Sequence, residues 1–586
     1  MSSPTTVCQA YQQTANVNPD AVAVRTPGDA VAVTWRELSS HVRKVAAGLA
    51  SLGVQRGDTV AIMVTNRPES AWIDAGAMHL GATAFSIYNT SAPEQVAYLF
   101  GNAENKVVFT ETALLPVILA SGAAPEHVIV IDGKPEGATT TLDELMAAGD
   151  PDFDFDAAWQ AVTPEDLLTL IYTSGTTGPP KGVQLSHGNL MSILDSVAAN
   201  FPMPFGGRIT SFLPMAHIAD RATSQYGLCA RGTQVTYVAD PRKVAEALPD
   251  CKPTIWFAVP RVWEKIKAGV EAKVADEPDA KKQKIAQFAL AMAEKKADAR
   301  LAGRALNPID KVKLAVAEKL VLAKVREALG MQELTWAWSG AAAISPETLK
   351  FFLGLGIEVC ELWGMSETCG GSTLNPPGKQ KLGTVGPAIP GVEIKLAEDG
   401  ELLVRGPGNM VGYRKDPEKT AETLDADGWI HTGDIGTVDE DGYYTIVDRK
   451  KELIISAAGK NMSPSNIENT LKVSTPLAAA IVCIGDARAY NTALVVLDPD
   501  AAAAYAEKAG VAADPAVLAK DPGLLAVIQK GIDAGNAKLS RVEQVKKFEV
   551  VPSFWMPGGD ELTPTLKLKR KPIAEKYSAQ IDALYA

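Results

Sequence analysis

Ten consecutive residues, TSGTTGPPKG at 173–182, place four hydroxyls, three glycines and one lysine in a single short stretch. That mixture suits a polyphosphate. Gly175, Gly178 and Gly182 let backbone N–H groups approach phosphate oxygens, while Thr173, Ser174, Thr176 and Thr177 add hydroxyl donors and Lys181 adds a point charge. The stretch is not a Walker A loop, which needs Lys directly after its closing Gly; here Pro179 and Pro180 intervene and Gly182 follows the lysine. The apolar run LLTLIY (167–172) before it reads as a strand and SHGNLMSILDSV (186–197) after it as a helix, so the loop is expected to join a strand to a helix.

Compact groups of chemistry-bearing residues recur downstream. ELWGMSE (361–367), LLVRGPGNMVGY (402–413), WIHTGD (429–434), DRKKELI (448–454) and TPTLKLKR (563–570) follow in order. Together with the first stretch they resemble the signature motifs of the adenylate-forming superfamily: acyl-CoA synthetases, luciferases and the adenylation domains of peptide synthetases. FLPMAHIADR (212–221) and VPRVWEKI (259–266) resemble its long-chain fatty acyl-CoA synthetase branch. The likeness covers nearly the whole chain.

The resemblance implies a two-step ligase. A fatty acid carboxylate attacks the α-phosphorus of ATP, giving acyl-AMP and pyrophosphate, and coenzyme A then takes the acyl group and releases AMP. Positioned cations and dipoles do most of the work in such a phosphoryl transfer. By resemblance Glu367 is the magnesium ligand and Ser366 bonds the α-phosphate, Gly340, Ala341, Ala342 and Trp363 form the adenine slot, and Glu361, Gly364 and Met365 belong to the same nucleotide-binding set. Asp434, assisted by Arg449, accepts hydrogen bonds from the ribose hydroxyls. His217 lies beside the acyl carboxylate. Lys567 bridges carboxylate and α-phosphate, although Leu566 stands where the superfamily often has Gly, and Lys569 is an alternative. Lys451 is the hinge about which a small domain turns between the two steps, and Gly459 lines the coenzyme A tunnel. No cysteine nucleophile is needed.

These groups need two domains to position them: an N-terminal adenylation domain over 1–448, with a helical insertion about 263–330, and a mobile C-terminal domain over 449–586. The expected fold is α/β: layered α/β subdomains and a β-rich subdomain, then a small α+β domain. Local signals agree. Thr34-Trp35-Arg36-Glu37 is a capping box opening a helix with Leu38, Val42, Val45 and Leu49 on one face. Residues 58–64, then EQVAYLFGNAENKVVFTET and HVIVIDG, alternate strand and helix patterns as in a parallel sheet. Ser463-Pro464 reads as a helix start, and AAAIVCIG and TALVVLD read as strands.

Composition bounds the partners. The chain has 586 residues, 46% hydrophobic and 22% charged, with a net charge of −12, which disfavours nucleic acid. Cys8, Cys229, Cys251, Cys360, Cys369 and Cys483 are scattered without metal spacing and read as reduced thiols. No signal peptide or long apolar run is evident, so a cytoplasmic enzyme is expected. The insertion is rich in Ala, Lys, Glu and Leu. Its lysines suit a membrane or partner surface, but interleaved acidic residues favour a solvated helical face. Oligomeric state and acyl-chain preference are not legible. Two alternatives stay open: a fatty acyl-AMP ligase serving a carrier protein, and a nucleotide-binding scaffold that has lost catalysis.

Overall fold

The computed structural model describes residues 3–173, 179–455 and 461–586. They fold into two compact units. The larger takes Met1–Lys395, Leu403–His431 and Glu440–Tyr444; the smaller takes Leu396–Leu402, Thr432–Asp439 and Thr445–Ala586.

In the larger unit the capping box forms as expected. The Thr34 hydroxyl accepts from the Glu37 N–H, the Glu37 carboxylate reaches back to the Thr34 N–H, and the helix Trp35–Ser51 buries Leu38, Val42, Val45 and Leu49. That face packs on the helices Glu69–His79 and Leu142–Ala148. The largest sheet among the described residues is mostly parallel and eight-stranded. In spatial order the strands are Gly412–Tyr413, Lys181–Ser186, Leu167–Thr173, Thr83–Ser86, Thr59–Met63, Val107–Thr110, His127–Val130 and Thr140–Thr141. The central strands are buried along their whole length, as strands covered by helices on both faces must be.

One expectation is corrected here. The phosphate-loop sequence connects two antiparallel strands, Leu167–Thr173 and Lys181–Ser186, and the helix His187–Asn200 begins only after the second strand. Gly182, Val183, Gln184 and Leu185 continue the sheet because Val183 and Leu185 bury on one side. Lys181 is therefore the first residue of a strand, paired across the hairpin with Thr173.

A second sheet holds Ile255–Ala258, Trp336–Ser339 and Val359–Trp363 in parallel, closed by antiparallel Thr373–Leu374. The ends of these parallel strands are where ligands sit in open α/β sheets. The insertion is helical as expected: Pro260–Ala275, Ala280–Leu301, Pro308–Ala317, a π-turn Glu318–Leu322, and Ala323–Ala328. Pro308 takes the first-turn position that suits its missing N–H.

A buried polar network anchors FLPMAHIADR. Arg221, 1% exposed, is paired with Asp74 and also donates to Ser86 Oγ and to the Tyr226 hydroxyl. Asp220 accepts from Ser211 Oγ and Ser224 Oγ, both at 2.8 Å. Removing Arg221 would strand the Asp74 carboxylate in the core, a loss of about 3–5 kcal/mol. Burial raises the Asp220 carboxyl to about 6.

The smaller unit mixes helices and strands, and it takes in Leu396–Leu402 and Thr432–Asp439 besides Thr445–Ala586. Ser463 caps the helix Pro464–Val473 through the Asn466 N–H. Ala478–Ile484 pairs antiparallel with Asn491–Leu497, which pairs parallel with Val545–Val550. No helix among the described residues is long and apolar enough to cross a membrane.

Candidate active site

The strand pairing that flanks the phosphate loop also draws in Tyr413. Gly412 and Tyr413 lie antiparallel to Gln184 and Val183, on the strand that Lys181 begins. Just before them the Met410 N–H donates to the Glu367 carbonyl at 2.8 Å, fastening the Ser366–Thr368 turn to the same sheet edge. The side chains converge accordingly. The Tyr413 hydroxyl donates to Glu367 Oε1 at 2.7 Å, and Lys181 Nζ lies 4.5 Å from the Tyr413 ring centroid. Burial, with the Glu367 carboxylate beside it, holds the Tyr413 hydroxyl protonated well above the usual phenol range. It is thus a fixed donor that orients Glu367, and its ring shelters Lys181 through a cation–π contact.

This arrangement fits a nucleotide-bound magnesium ion. Among the described residues no group of three or more His, Cys, Asp or Glu could cage a metal alone. Magnesium at phosphates commonly takes only one or two protein carboxylates, and Glu367, 6% exposed with its orientation set by Tyr413, could supply one.

Tyr413 carries a testable consequence. Replacing it with Phe keeps the ring over Lys181 and removes the hydroxyl from Glu367. We expect turnover to fall roughly tenfold, partly recovered at high magnesium, since one hydrogen bond to a charged group is worth about 1.5–3 kcal/mol. A magnesium titration of both proteins checks it; superimposable curves would remove Tyr413 from the site.

The two parallel strands Trp336–Ser339 and Val359–Trp363 run in register, Ser339 opposite Glu361, so Gly340–Ala341–Ala342 and Gly364–Met365–Ser366–Glu367 emerge side by side. Both glycines are required by close approach. A Cβ on Gly340 would come 2.8 Å from the Leu362 side chain, and one on Gly364 would come 2.5 Å from the Gly370 carbonyl. Ala341 adopts φ 69°, a left-handed conformation unusual for alanine. Trp363 is 8% exposed.

Ser339 Oγ and Glu361 Oε2 are both buried with no hydrogen-bond partner among the described residues. Buried polar groups rarely go unsatisfied, so a polar-edged ligand at these strand ends would complete them. Burial raises the Glu361 carboxyl to about 8, against a lowering hydrogen bond from the Gly383 N–H. The folded state thus prefers the protonated acid. Its contribution to stability is full below about 4.5 and is lost as the pH rises through about 8. Glu361→Gln should therefore melt with the parent at low pH but a few °C higher at alkaline pH. Parallel melting curves at both pH values would contradict this.

His217 caps the short helix Ile218–Asp220, its Nδ1 accepting from the Ala219 N–H at 3.1 Å, which assigns the proton of the neutral ring to Nε2. Ile218 packs near Gly370, where an added Cβ would lie 3.5 Å away, so this helix borders the turn that carries Glu367.

In the smaller unit, Arg449 Nε pairs with Asp434 Oδ1 at 2.7 Å, and Asp434 is 5% exposed. Asp448, next in the same run, is consumed structurally: it accepts from Ser463 Oγ, Ser465 N and Ser465 Oγ at the start of the following helix. Lys451 is exposed at the turn where the Arg449 carbonyl accepts from the Glu452 and Leu453 N–H groups. Lys567 sits in a tight loop, its N–H donating to Thr563 Oγ1 at 3.0 Å, while Lys569 Nζ is tied to the Gly559 carbonyl at 2.8 Å. Leu566 adopts φ 64°, a backbone conformation that glycine takes without strain, which gives the departure at this position a physical meaning. Arg570 clamps the loop. Its guanidinium holds Glu468 bidentately at 2.6 and 2.9 Å and reaches Glu452, the neighbour of Lys451, at 3.1 Å.

Thr173 and Lys181 flank the loop in the structure, whereas Ser174, Gly175, Thr176, Thr177, Gly178 and Gly459 lie outside the described residues. Tyr413 closes the LLVRGPGNMVGY motif, and its role follows from its strand pairing and its bond to Glu367 rather than from the motif itself.

Comparison with known proteins agrees with this geometry. Residues 11–414 match the family model described as AMP-binding enzyme, and residues 451–586 match the AMP-binding enzyme C-terminal domain. "Putative fatty-acid--CoA ligase fadD11" of Mycobacterium tuberculosis is 55% identical over 76% of this chain and 79% of its own length. "Long-chain-fatty-acid--CoA ligase FadD15" of Mycobacterium bovis is 38% identical over 94% of this chain and 92% of its own. The adenylation domain of a carboxylate reductase from Mycobacterium chelonae shares the fold, with a TM-score of 0.76 at 22% identity, covering 99% of this chain and 91% of that one. With the motif order, the paired units and the Lys181–Tyr413–Glu367 cluster, these matches mean that the chain belongs to the AMP-binding enzyme family, in the fatty acyl-CoA synthetase branch of the adenylate-forming superfamily.

Proposed function

We propose that the protein is an ATP-dependent long-chain fatty acid:CoA ligase that works through acyl-AMP. The observation carrying this reading is the cluster in which Tyr413 joins Lys181 to Glu367, because it puts a phosphate-seeking cation and an oriented carboxylate at the foot of the phosphate loop. The long-chain acid and the thiol are taken from the names borne by its relatives.

In the first step a fatty acid carboxylate oxygen bonds to the α-phosphorus of ATP and the bond to pyrophosphate breaks. Lys181 binds the phosphates, Ser366 the α-phosphate, and Asp434, held by Arg449, the ribose hydroxyls. Gly340, Ala341, Ala342, Trp363 and Glu361 receive the adenine, and His217 holds the acid. Magnesium, which Glu367 would hold, supplies charge neutralisation across the phosphates when bound. Lys567 stabilises the charge that builds on the phosphoryl oxygens. In the second step the coenzyme A thiol attacks the acyl carbon, AMP departs, and the thiol proton passes to solvent. Lys567 then has to give way. Residues 449–586 are read as the mobile domain that withdraws it, turning at Lys451, with Gly459 on the coenzyme A side. The Arg570 clamp onto Glu468 and Glu452 makes the Lys567 loop and the segment beside the hinge move as one piece. A cytoplasmic setting is supported by six buried free thiols.

An acid-panel assay of AMP release with and without coenzyme A tests the reading. Coenzyme A-dependent AMP and acyl-CoA formation, greatest with long-chain acids, is expected. AMP release needing a carrier protein instead would replace the thiol acceptor, and no acid-dependent turnover would overturn the proposal.

A further inference from the structure

Gly433, the residue before Asp434, is held at both of its backbone groups. Its N–H donates to Glu401 Oε1 at 2.8 Å, and its carbonyl accepts from the Lys450 N–H at 2.8 Å. Lys450 closes the ring. Its Nζ donates to the other oxygen of the same carboxylate, Glu401 Oε2, at 3.1 Å and also pairs with Asp399. One carboxylate thus ties the strand Ile430–Val438 to the residue that follows the strand Tyr444–Arg449.

Glu401 opens the strand Glu401–Arg405 and is 7% exposed. A buried carboxylate is costly unless its oxygens are bonded, and both oxygens here are spent on residues beside Asp434 and beside Lys451. Gly433 adopts φ 70° inside its strand, a left-handed residue that bends the chain just where Asp434 begins. The direction of that bend depends on what holds Gly433. On the other flank Thr432 Oγ1 accepts from the Asp434 N–H at 3.1 Å and donates to the Leu402 carbonyl at 2.7 Å. The same ring reaches the hinge. Lys450 precedes Lys451, and Glu452 follows it, bonded to Arg570 at 3.1 Å, so both neighbours of the exposed Lys451 are tied down.

We propose that Glu401 is a positioning residue with two outputs. Through the Gly433 N–H it aims the Asp434 carboxylate at the ribose hydroxyls, and through Lys450 it fixes the chain up to the hinge, confining the turn between the two steps to Lys451. The inference rests on the roles given above to Asp434 and Lys451. Its two bonds can be separated chemically. Glu401→Gln keeps an oxygen for the Gly433 N–H and loses the charge that holds Lys450. Lys450→Met loses the same ion pair and keeps the backbone bond to the Gly433 carbonyl. Glu401→Met fills a similar volume and makes neither bond, a replacement that buried sites tolerate.

Calorimetry of the full-length protein with ATP and with 2′,3′-dideoxy-ATP reads the first output. The parent should prefer ATP by about tenfold, the worth of hydrogen bonds to a charged acceptor. In Glu401→Met that preference should shrink to about twofold, with dideoxy-ATP bound as by the parent, whereas Glu401→Gln and Lys450→Met should keep it. Single-turnover assays read the second. Glu401→Gln and Lys450→Met should form acyl-AMP at the parent rate but pass it to coenzyme A about two- to fivefold more slowly, the worth of a partly exposed ion pair. The double variant Glu401→Gln/Lys450→Met should be no slower than either single one, because both remove one interaction. An undiminished preference for ATP in Glu401→Met, or equal loss of both nucleotides following a lowered melting temperature, would overturn the inference. Parent-like transfer in both single variants would do the same. A parent that binds the two nucleotides equally would instead remove the ribose role from Asp434, and this inference with it.

Discussion

Lys567→Ala should lose acyl-AMP formation by roughly 10³-fold while still converting supplied acyl-AMP and coenzyme A into thioester at near the parent rate. The asymmetry follows from the charge each step develops. Attack on the α-phosphorus builds negative charge on phosphoryl oxygens that an ammonium group stabilises; thiol attack on the acyl carbon builds it elsewhere. The loop should survive the change, because its frame is made by the backbone and by other side chains: Thr563 Oγ1 bonds the Lys567 N–H, and Arg570 clamps Glu468 and Glu452. Single-turnover assays of each half-reaction provide the check. If both fall together in folded protein, the two-step division is wrong or Lys569 shares the role. Lys569→Ala separates these, and it should change little, since Lys569 Nζ is bonded to the Gly559 carbonyl within its own loop.

Glu367→Gln should still bind ATP but lose about 10²–10³-fold in turnover at every magnesium concentration. The amide keeps the size and can accept from the Tyr413 hydroxyl through its oxygen, so the 2.7 Å contact and the turn Ser366–Thr368 are retained while the negative charge is lost. A structural role would predict the opposite pattern, lower melting temperature with activity per folded molecule intact. Nucleotide binding by calorimetry alongside turnover distinguishes the two, and near-parent turnover would take Glu367 out of the metal site. The contrast with Tyr413→Phe, where high magnesium restores part of the rate, separates the ligand from the residue that orients it.

What the sequence made legible was local. The Thr34–Glu37 capping box and the Ser463 cap with Pro464 behind it were readable because donor, acceptor and helix start lie within four residues of one another. The order of the motifs identified the family for a similar reason: each motif is a short loop whose residues act together. The phosphate loop shows where local reading stops. Lys181 and Gly182 read as loop and Ser186 as helix, because the strand character of Lys181–Ser186 depends on pairing with Leu167–Thr173 on one side and Gly412–Tyr413 on the other. Tyr413 acquires its role only through that second pairing. Glu361 was assigned from its motif, but its raised pKa comes from burial, which no window of sequence displays. The insertion was readable as helices, whereas the partners of Glu294 and Asp310, Lys350 and Lys295, come from contacts between packed helices that no window of sequence displays. Leu566 looked like a departure from pattern; its φ of 64° shows what that position demands of the backbone.

The central claim is that this chain activates a fatty acid by adenylation before any thiol is involved. Incorporation of radiolabelled pyrophosphate into ATP, measured without coenzyme A, tests it most directly, because only reversal of acyl-AMP formation carries the label. The account predicts exchange that requires both a long-chain fatty acid and magnesium and that disappears in Lys567→Ala. Fatty acid-independent exchange, or turnover that releases ADP and phosphate with no exchange, would contradict it.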